Sequence, residues 1–345
     1  MTTTLLEEPQ TAGVLSLTAA AENLDLSSSD ETDPDWLVHF KKHGYAVVPD
    51  VITKEKAKGY ISDWHSWLER YPLGYDRDDR STWTADHLPS NFNEPKVLEA
   101  FQAVWKTERL IVSFDSPNIS HPVSSHGRTD IDPLPAWPHI DADPSAWEFE
   151  LAQGFLNYEE SGDDDGGLVL LSNSQYLHER FIAERGIVEA QREGRKEWYT
   201  YTPENVAWFQ QNGAELIKVN VPAGALVLWD SRTVHWTRSP TGERTRVIQY
   251  LCYEPSSRLS PEQRTRKADL FHRRLTTTHT PHLGIAPQLL SGKPTRHGGG
   301  DPAFQGELPF IEPEITETVL RLAGVERYPG EEEEEAAEAK KRGGH

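Results

Sequence analysis

Six short strand-like runs follow one another after residue 100, at 110–114, 149–158, 167–171, 216–221, 225–229 and 246–253. Most are bounded by Gly, Asp, Asn, Ser or Pro, residues that end strands and make turns. Short strands without long helices between most of them predict a mainly β chain. An antiparallel sandwich or barrel fits this pattern, and a doubly wound parallel sheet does not. One interruption stands out. Residues 174–215 contain HERFIAERGIVEAQREG, which reads as a helix, and NVAWFQQNG, a shorter helix or turn. An insertion of this size between strands is a natural lid or substrate wall.

Helical signals precede the strands. Asp35 is placed to cap a helix running to Lys42, with Trp36, Leu37 and Phe40 inward and Gly44 ending it. A short strand is expected over 45–49. Thr53 then caps a second helix, on which Ala57, Tyr60, Ile61, Trp64, Trp67 and Leu68 recur at helical spacing as a core-facing stripe. The body is expected over 36–290. Residues 1–35 hold eight acids and no Lys or Arg, which predicts a disordered leader. Residues 291–345 form an extension whose tail, EEEEEAAEAKKRGGH, reads as a solvated helix end or as nothing ordered.

Charge and composition exclude several function classes. The chain has 345 residues, 35 Lys+Arg and 55 Asp+Glu, a net charge of −20. That balance argues against a surface tracking phosphates, so no nucleic-acid partner is expected. No apolar run is long enough to span a membrane, and the N-terminus lacks a secretory pattern. The single cysteine excludes an intramolecular disulfide and Cys-rich metal sites, and fits a reducing, cytoplasmic setting. Cys252 itself reads as a buried strand residue. The carboxylates at 163–165 lack calcium-loop spacing and read as a solvated turn.

The chemistry concentrates in two segments. In WPHIDADP (137–144), His139 and Asp141 stand at i and i+2, so a strand would point both to one face, where they can grip one metal ion. In AGALVLWDSRTVHWTRSPTGERTRVIQY (223–250), His235 can complete a two-histidine, one-carboxylate face. Such a face leaves open positions on octahedral Fe(II). Arg246 opens the last strand-like run. An arginine pointing into an apolar barrel requires an anionic partner, and its planar fork suits a carboxylate such as one end of a dicarboxylate co-substrate. Arg244 shares its strand parity and competes for that role, but lies in the polar turn SPTGERT. Gln153 and Asn157, with one parity on the run at 149–158, are candidates to hydrogen-bond the co-substrate or a metal ligand. Trp137 shares the parity of His139 and is a candidate pocket wall. Trp236 is a pocket candidate as well as a core-packing one, and Trp229 reads as core. The histidines and arginines of RTRKADLFHRRLTTTHTPH either attract an anionic substrate, pair with the acidic leader or cover the barrel.

With these residues, the chain resembles the phytanoyl-CoA dioxygenase-like family of Fe(II)- and 2-oxoglutarate-dependent oxygenases. The likeness runs over about 36–255, through HGYAVVPDVITKEKA, the His139/Asp141 pair, GDDDGGLVLLSNSQYLH and GALVLWDSRTVHWTRSPTGERTRVIQY. It implies a double-stranded β-helix, a cupin-like jelly roll, with N-terminal and inserted helices packed outside. It implies that His139, Asp141 and His235 ligate iron and that Arg246 clamps the far carboxylate of 2-oxoglutarate. It further implies an O2-consuming reaction that releases succinate and CO2 and hydroxylates a C–H bond of a small-molecule metabolite. The sequence departs from the family at Leu171-Ser172-Asn173-Ser174-Gln175, where a Pro-Gly-Ser-His turn is usual, so the pocket is expected to be atypical. Retention of Asp141, where halogenating relatives have a small residue, favours hydroxylation, desaturation or ring chemistry. A jelly-roll metalloenzyme without 2-oxoglutarate and a non-catalytic interaction protein are the competing readings. A monomer or homodimer is expected.

Overall fold

The computed structural model describes residues 32–68, 94–115, 117–120, 122, 135–146, 148–273, 275, 277–283, 295–296, 299–300 and 314–334. Nearly all of the acidic leader therefore lies outside the described residues, as do the side chains of Trp67 and Leu68. The chain begins with α1 (Asp35–His43), β1 (Tyr45–Val48), α2 (Lys54–Leu68) and α3 (Pro95–Trp105). Strands β2 (Leu110–Val112), β3 (Pro117–Ser120), β4 (His139–Ile140), β5 (Ala152–Asn157) and β6 (Gly167–Ser172) follow. The insertion contributes α4 (His178–Arg185), β7 (Tyr199–Thr200) and α5 (Pro203–Gln211). Then come β8 (Glu215–Lys218), β9 (Leu226–Asp230), β10 (His235–Arg238), β11 (Arg246–Pro255), α6 (Pro261–His272) and α7 (Glu317–Leu322).

These strands form two antiparallel sheets that enclose a barrel, a double-stranded β-helix with its helices outside. The six-stranded sheet runs β1-β9-β5-β11-β2, with β3 also pairing β11; the five-stranded sheet runs β7-β4-β10-β6-β8. Side-chain alternation sorts the apolar residues into three layers. Between the sheets lie Phe155, Leu168, Leu170, Val227, Trp229 and Ile248. Ala152, Leu156, Leu228, Val247 and Leu251 point the other way, onto Leu37, Phe40, Val97 and Phe101 of the N-terminal helices. Beyond the smaller sheet, Val169, Leu171 and Trp236 pack on Phe181, Trp208 and Phe209 of the insertion. Strands β5, β6 and β9 are thus buried on both faces. That is why β6 and β9 read as nearly continuous apolar runs rather than alternating ones, while β5 keeps Gln153 and Asn157 on its inward face.

Local chemistry fixes the joints. Gly44 ends α1 at φ 78°, a left-handed conformation, and a Cβ there would run into Thr233 and Gln175. Gly154 faces α3, where a Cβ would stand 2.9 Å from the Val227 carbonyl and 3.1 Å from Phe101, so α3 can sit close on β5. Thr53 accepts the Lys56 N–H at 3.1 Å, the expected cap of α2. Asp35 is not the cap of α1. Pro34 holds that position in an extended conformation, and Asp35 already lies in the first helical turn. The helix expected over 178–194 ends at Gly186, whose φ of 72° and ψ of 173° leave the helical region. Glu331 of the acidic tail is buried rather than solvated: it bonds Ser256 and pairs with Arg264 at 3.4 Å. Among the described residues no helix is long and apolar enough to cross a membrane.

Candidate active site

Strand β4 is only two residues long, yet it sets the site. His139 pairs across the ladder with His235 of β10, so the two imidazoles share one face with ring centroids 4.3 Å apart. Asp141 has left the strand and lies in a bend, where its backbone N–H reaches the Ser231 carbonyl at 3.0 Å. The expected i, i+2 pairing on one strand is therefore achieved by a strand residue and a loop residue pinned to the β9–β10 connection. One ligand atom from each of His139, Asp141 and His235 lies within 4.8 Å of the others. Asp141 Oδ2 stands 3.7 Å from His139 Nε2 and 3.4 Å from His235 Nε2.

Both histidines are oriented from behind. His139 Nδ1–H donates to the Trp137 carbonyl at 3.0 Å and His235 Nδ1–H to the Thr233 carbonyl at 2.8 Å. A carbonyl only accepts, so each Nδ1 carries a proton and each Nε2 can offer a lone pair to the site. Burial, and then the neighbouring His235, lower the pKa of His139, which favours the neutral form a metal needs. Burial alone would raise Asp141. The imidazoles of His279, His139 and His235 outweigh it and hold the carboxyl well below the usual carboxylate range. Gln153 Nε2 donates to Asp141 Oδ2 at 2.8 Å, while Gln153 Oε1 and Trp229 Nε1 are buried with no partner among the described residues. Two nitrogen donors, one carboxylate and unsatisfied polar atoms at one place fit a divalent transition metal with positions left open.

A cation stands further along the barrel. Arg246 is 5% exposed, donates from Nη1 to Asn118 Oδ1 at 3.0 Å and lies 5.1 Å over the Phe155 ring. Among the described residues no carboxylate pairs with it. Lys218 is nearby; burial first, then Arg238, with Arg246 contributing, lower its pKa to about 8. Arg244, which parity could not separate from Arg246, is 47% exposed and pairs with Asp165 at 3.1 Å. Gln153 and Phe155 are successive residues on the inward face of β5, about 7 Å apart along the strand; the first bonds Asp141 and the second underlies Arg246.

The other candidates separate. Asn157 shares the β5 face, but its amide donates to the carbonyls of Glu159, Val221 and Pro222 at 2.6, 3.0 and 3.0 Å, and so ties loops together. Trp137 is 41% exposed and stacks on His139 at 4.2 Å and 6°. Trp236 does not line the pocket. It is adjacent to His235 on β10 and so points to the opposite face, into the layer with Phe181 and Trp208. Two residues had no signal in the spacing. Trp198, from the insertion, lies 4.3 Å from His139 with its buried Nε1 unpartnered among the described residues, and His279, from the segment after α6, brings Nε2 to 3.7 Å from Asp141 Oδ1. Both sit in polar, aperiodic sequence, and only the chain path brings them here.

No family model matches the chain. Among solved structures, it is similar to SnoK, a non-heme alpha ketoglutarate dependent carbocyclase from nogalamycin biosynthesis. That match has 14% identity over 68% of this chain and 93% of the other, with a TM-score of 0.43. HygX from Streptomyces hygroscopicus, with nickel and 2-oxoglutarate bound, matches at 14% identity over 64% of this chain and 86% of its own, with a TM-score of 0.39. Among curated proteins, Ava biosynthesis cluster protein O of Aspergillus versicolor is 32% identical over 290 residues, 77% of this chain and 92% of that protein. At that identity and coverage the chain belongs to the same family as Ava biosynthesis cluster protein O.

Proposed function

We propose that the chain is an Fe(II)- and 2-oxoglutarate-dependent oxygenase of the phytanoyl-CoA dioxygenase-like kind, hydroxylating a C–H bond of a small-molecule metabolite. One observation carries the reading. A two-histidine, one-carboxylate cluster is touched by Gln153 of β5, and a buried arginine, which pairs with no carboxylate among the described residues, lies over Phe155 on the same face of that strand. A dicarboxylate co-substrate would answer both, with one end at the metal and the other at the arginine. His139, Asp141 and His235 would hold Fe(II) and leave half of an octahedral shell open. Arg246 would take the far carboxylate of 2-oxoglutarate, with Asn118 orienting its guanidinium and Phe155 as its floor. Gln153 holds Asp141 and keeps one oxygen free toward the site. Fe(II) with 2-oxoglutarate supplies O2 activation coupled to release of succinate and CO2.

The family relationship to a biosynthesis cluster protein supports a small-molecule substrate. The exposed face of Trp137 and the indole of Trp198 offer that substrate an aromatic wall beside the metal ligands. The test is anaerobic addition of Fe(II) and 2-oxoglutarate, read by the weak visible charge-transfer band. Wild type should develop the band and His139→Ala should not. Folded wild type that develops no band would overturn the reading in favour of a metalloenzyme without 2-oxoglutarate or a non-catalytic protein.

A further inference from the structure

We propose that His279 is a positioning residue for Asp141, held over the mouth of the barrel by a strap formed from residues 277–283. The inference rests on the metal-centre reading above and adds to it a third histidine, outside the ligand set.

The two oxygens of Asp141 face different surroundings. Oδ2 is the shared focus of His139, His235 and the Gln153 amide. Oδ1 is the oxygen that meets His279, whose Nε2 stands 3.7 Å away. That distance exceeds a direct hydrogen bond, and one bridging water or a small rotation of the imidazole closes it. With Nε2–H of His279 engaging Oδ1 and Gln153 engaging Oδ2, the carboxylate plane is fixed from both sides. Oδ2, which also points to both ligand nitrogens, is then the oxygen presented to the metal.

The strap is anchored rather than loose. At its start, Thr277 is 2% exposed; its N–H donates to the Phe114 carbonyl at 2.9 Å, and its Oγ1 accepts the Phe114 N–H at 3.1 Å. At its end, His282 Nδ1 bonds the buried carboxylate of Glu254 on β11 at 2.6 Å, and the His282 carbonyl accepts Gln263 Nε2 of α6 at 2.8 Å. Thr278 Oγ1 further donates to the Leu283 carbonyl at 3.4 Å. His279 lies between these anchors with 39% of its side chain exposed, so the same imidazole that faces Asp141 also borders solvent at the mouth.

Binding of Co(II), followed by calorimetry and by the Co(II) d–d spectrum, tests the proposal without turnover. His279→Ala should weaken Co(II) binding roughly 10- to 100-fold, the range for losing an outer partner of a metal ligand. It should also shift the d–d band while the metal-free melting temperature stays at the wild-type value. His279→Gln keeps an N–H donor at similar reach and should recover affinity to within about threefold. Wild-type affinity and spectrum in His279→Ala would overturn the proposal, and so would a Gln variant as weak as Ala. Either result, obtained while wild type still forms the Fe(II)–2-oxoglutarate band, leaves the proposed function standing. Loss of that band in wild type would instead remove the function reading.

Discussion

His139 and His235 are direct cross-strand partners in the β4–β10 ladder, so their alignment is a property of strand register before it is one of side chains. Each is then locked by an Nδ1 bond to the backbone two residues before it. Replacing either with Ala should reduce Co(II) affinity by more than the roughly 10- to 100-fold typical of losing an outer partner. The fold should persist, because the cross-strand backbone bonds do not depend on the imidazoles. Calorimetric titration alongside far-ultraviolet circular dichroism checks both parts.

Arg246 and Arg244 differ by two residues and should differ sharply in effect. Arg246→Ala removes a buried charged donor, and such bonds contribute about 1.5–3 kcal/mol, so the KM for 2-oxoglutarate should rise roughly 10- to 100-fold. Arg244→Ala breaks a half-exposed pair with Asp165 and should leave that KM within about twofold. Steady-state kinetics on succinate release decides it, and equal effects would move the clamp away from Arg246.

Trp236 offers a check on which face of β10 meets the pocket. It is 9% exposed and packed in the layer between the smaller sheet and the insertion. Trp236→Ala should cost about 3–5 kcal/mol of stability in urea unfolding, as for other large core truncations. Binding of Co(II) and 2-oxoglutarate to the folded variant should be unchanged, whereas a pocket residue would show the reverse pattern.

Much of this arrangement was legible in the amino-acid order. The runs that became β6 and β9 were visible because burial on both faces makes them nearly continuously apolar, and those of β5 and β11 because apolar residues still dominate between turn residues. Strand β4 was read only through the His139/Asp141 pair, and β7 and β10 were not read, since two to four residues without a longer apolar run around them carry too little period. His139, Asp141 and His235 were found by residue type and spacing, though Asp141 reaches its place from a bend. Trp236 reads from the sequence as either a pocket or a core residue; as the neighbour of His235 on β10 it faces the outer layer. His279 and Trp198 could not be found from spacing, because a strap and an insertion deliver them from distant sequence.

His178 should set part of the acid limit of stability. It is fully buried in neutral form: Nε2–H donates to the Arg232 carbonyl at 2.6 Å, and Tyr201 Oη–H donates to Nδ1 at 3.1 Å. Burial lowers its pKa from 6.5 to about 4, so between those values the unfolded chain binds the extra proton. The contribution is therefore full above pH 6.5 and is lost as pH falls toward 4, about 3 kcal/mol in all. Urea unfolding at pH 4.5, 5.5 and 7 should show this slope in wild type and a flatter one in His178→Gln.

The smaller sheet ends in β7, and β7 comes from the insertion. It pairs directly with β4, placing Thr200 opposite His139 on one side while His235 stands opposite on the other. The insertion and the metal-ligand strand are thus one continuous piece of hydrogen-bonded sheet. Any displacement of the 186–201 segment by a guest at the mouth would be transmitted mechanically, through backbone pairing, to the position of His139. In such a design the size of a guest would bear on where His139, a proposed iron ligand, stands, and a variant insertion could retune the site without altering a single proposed ligand.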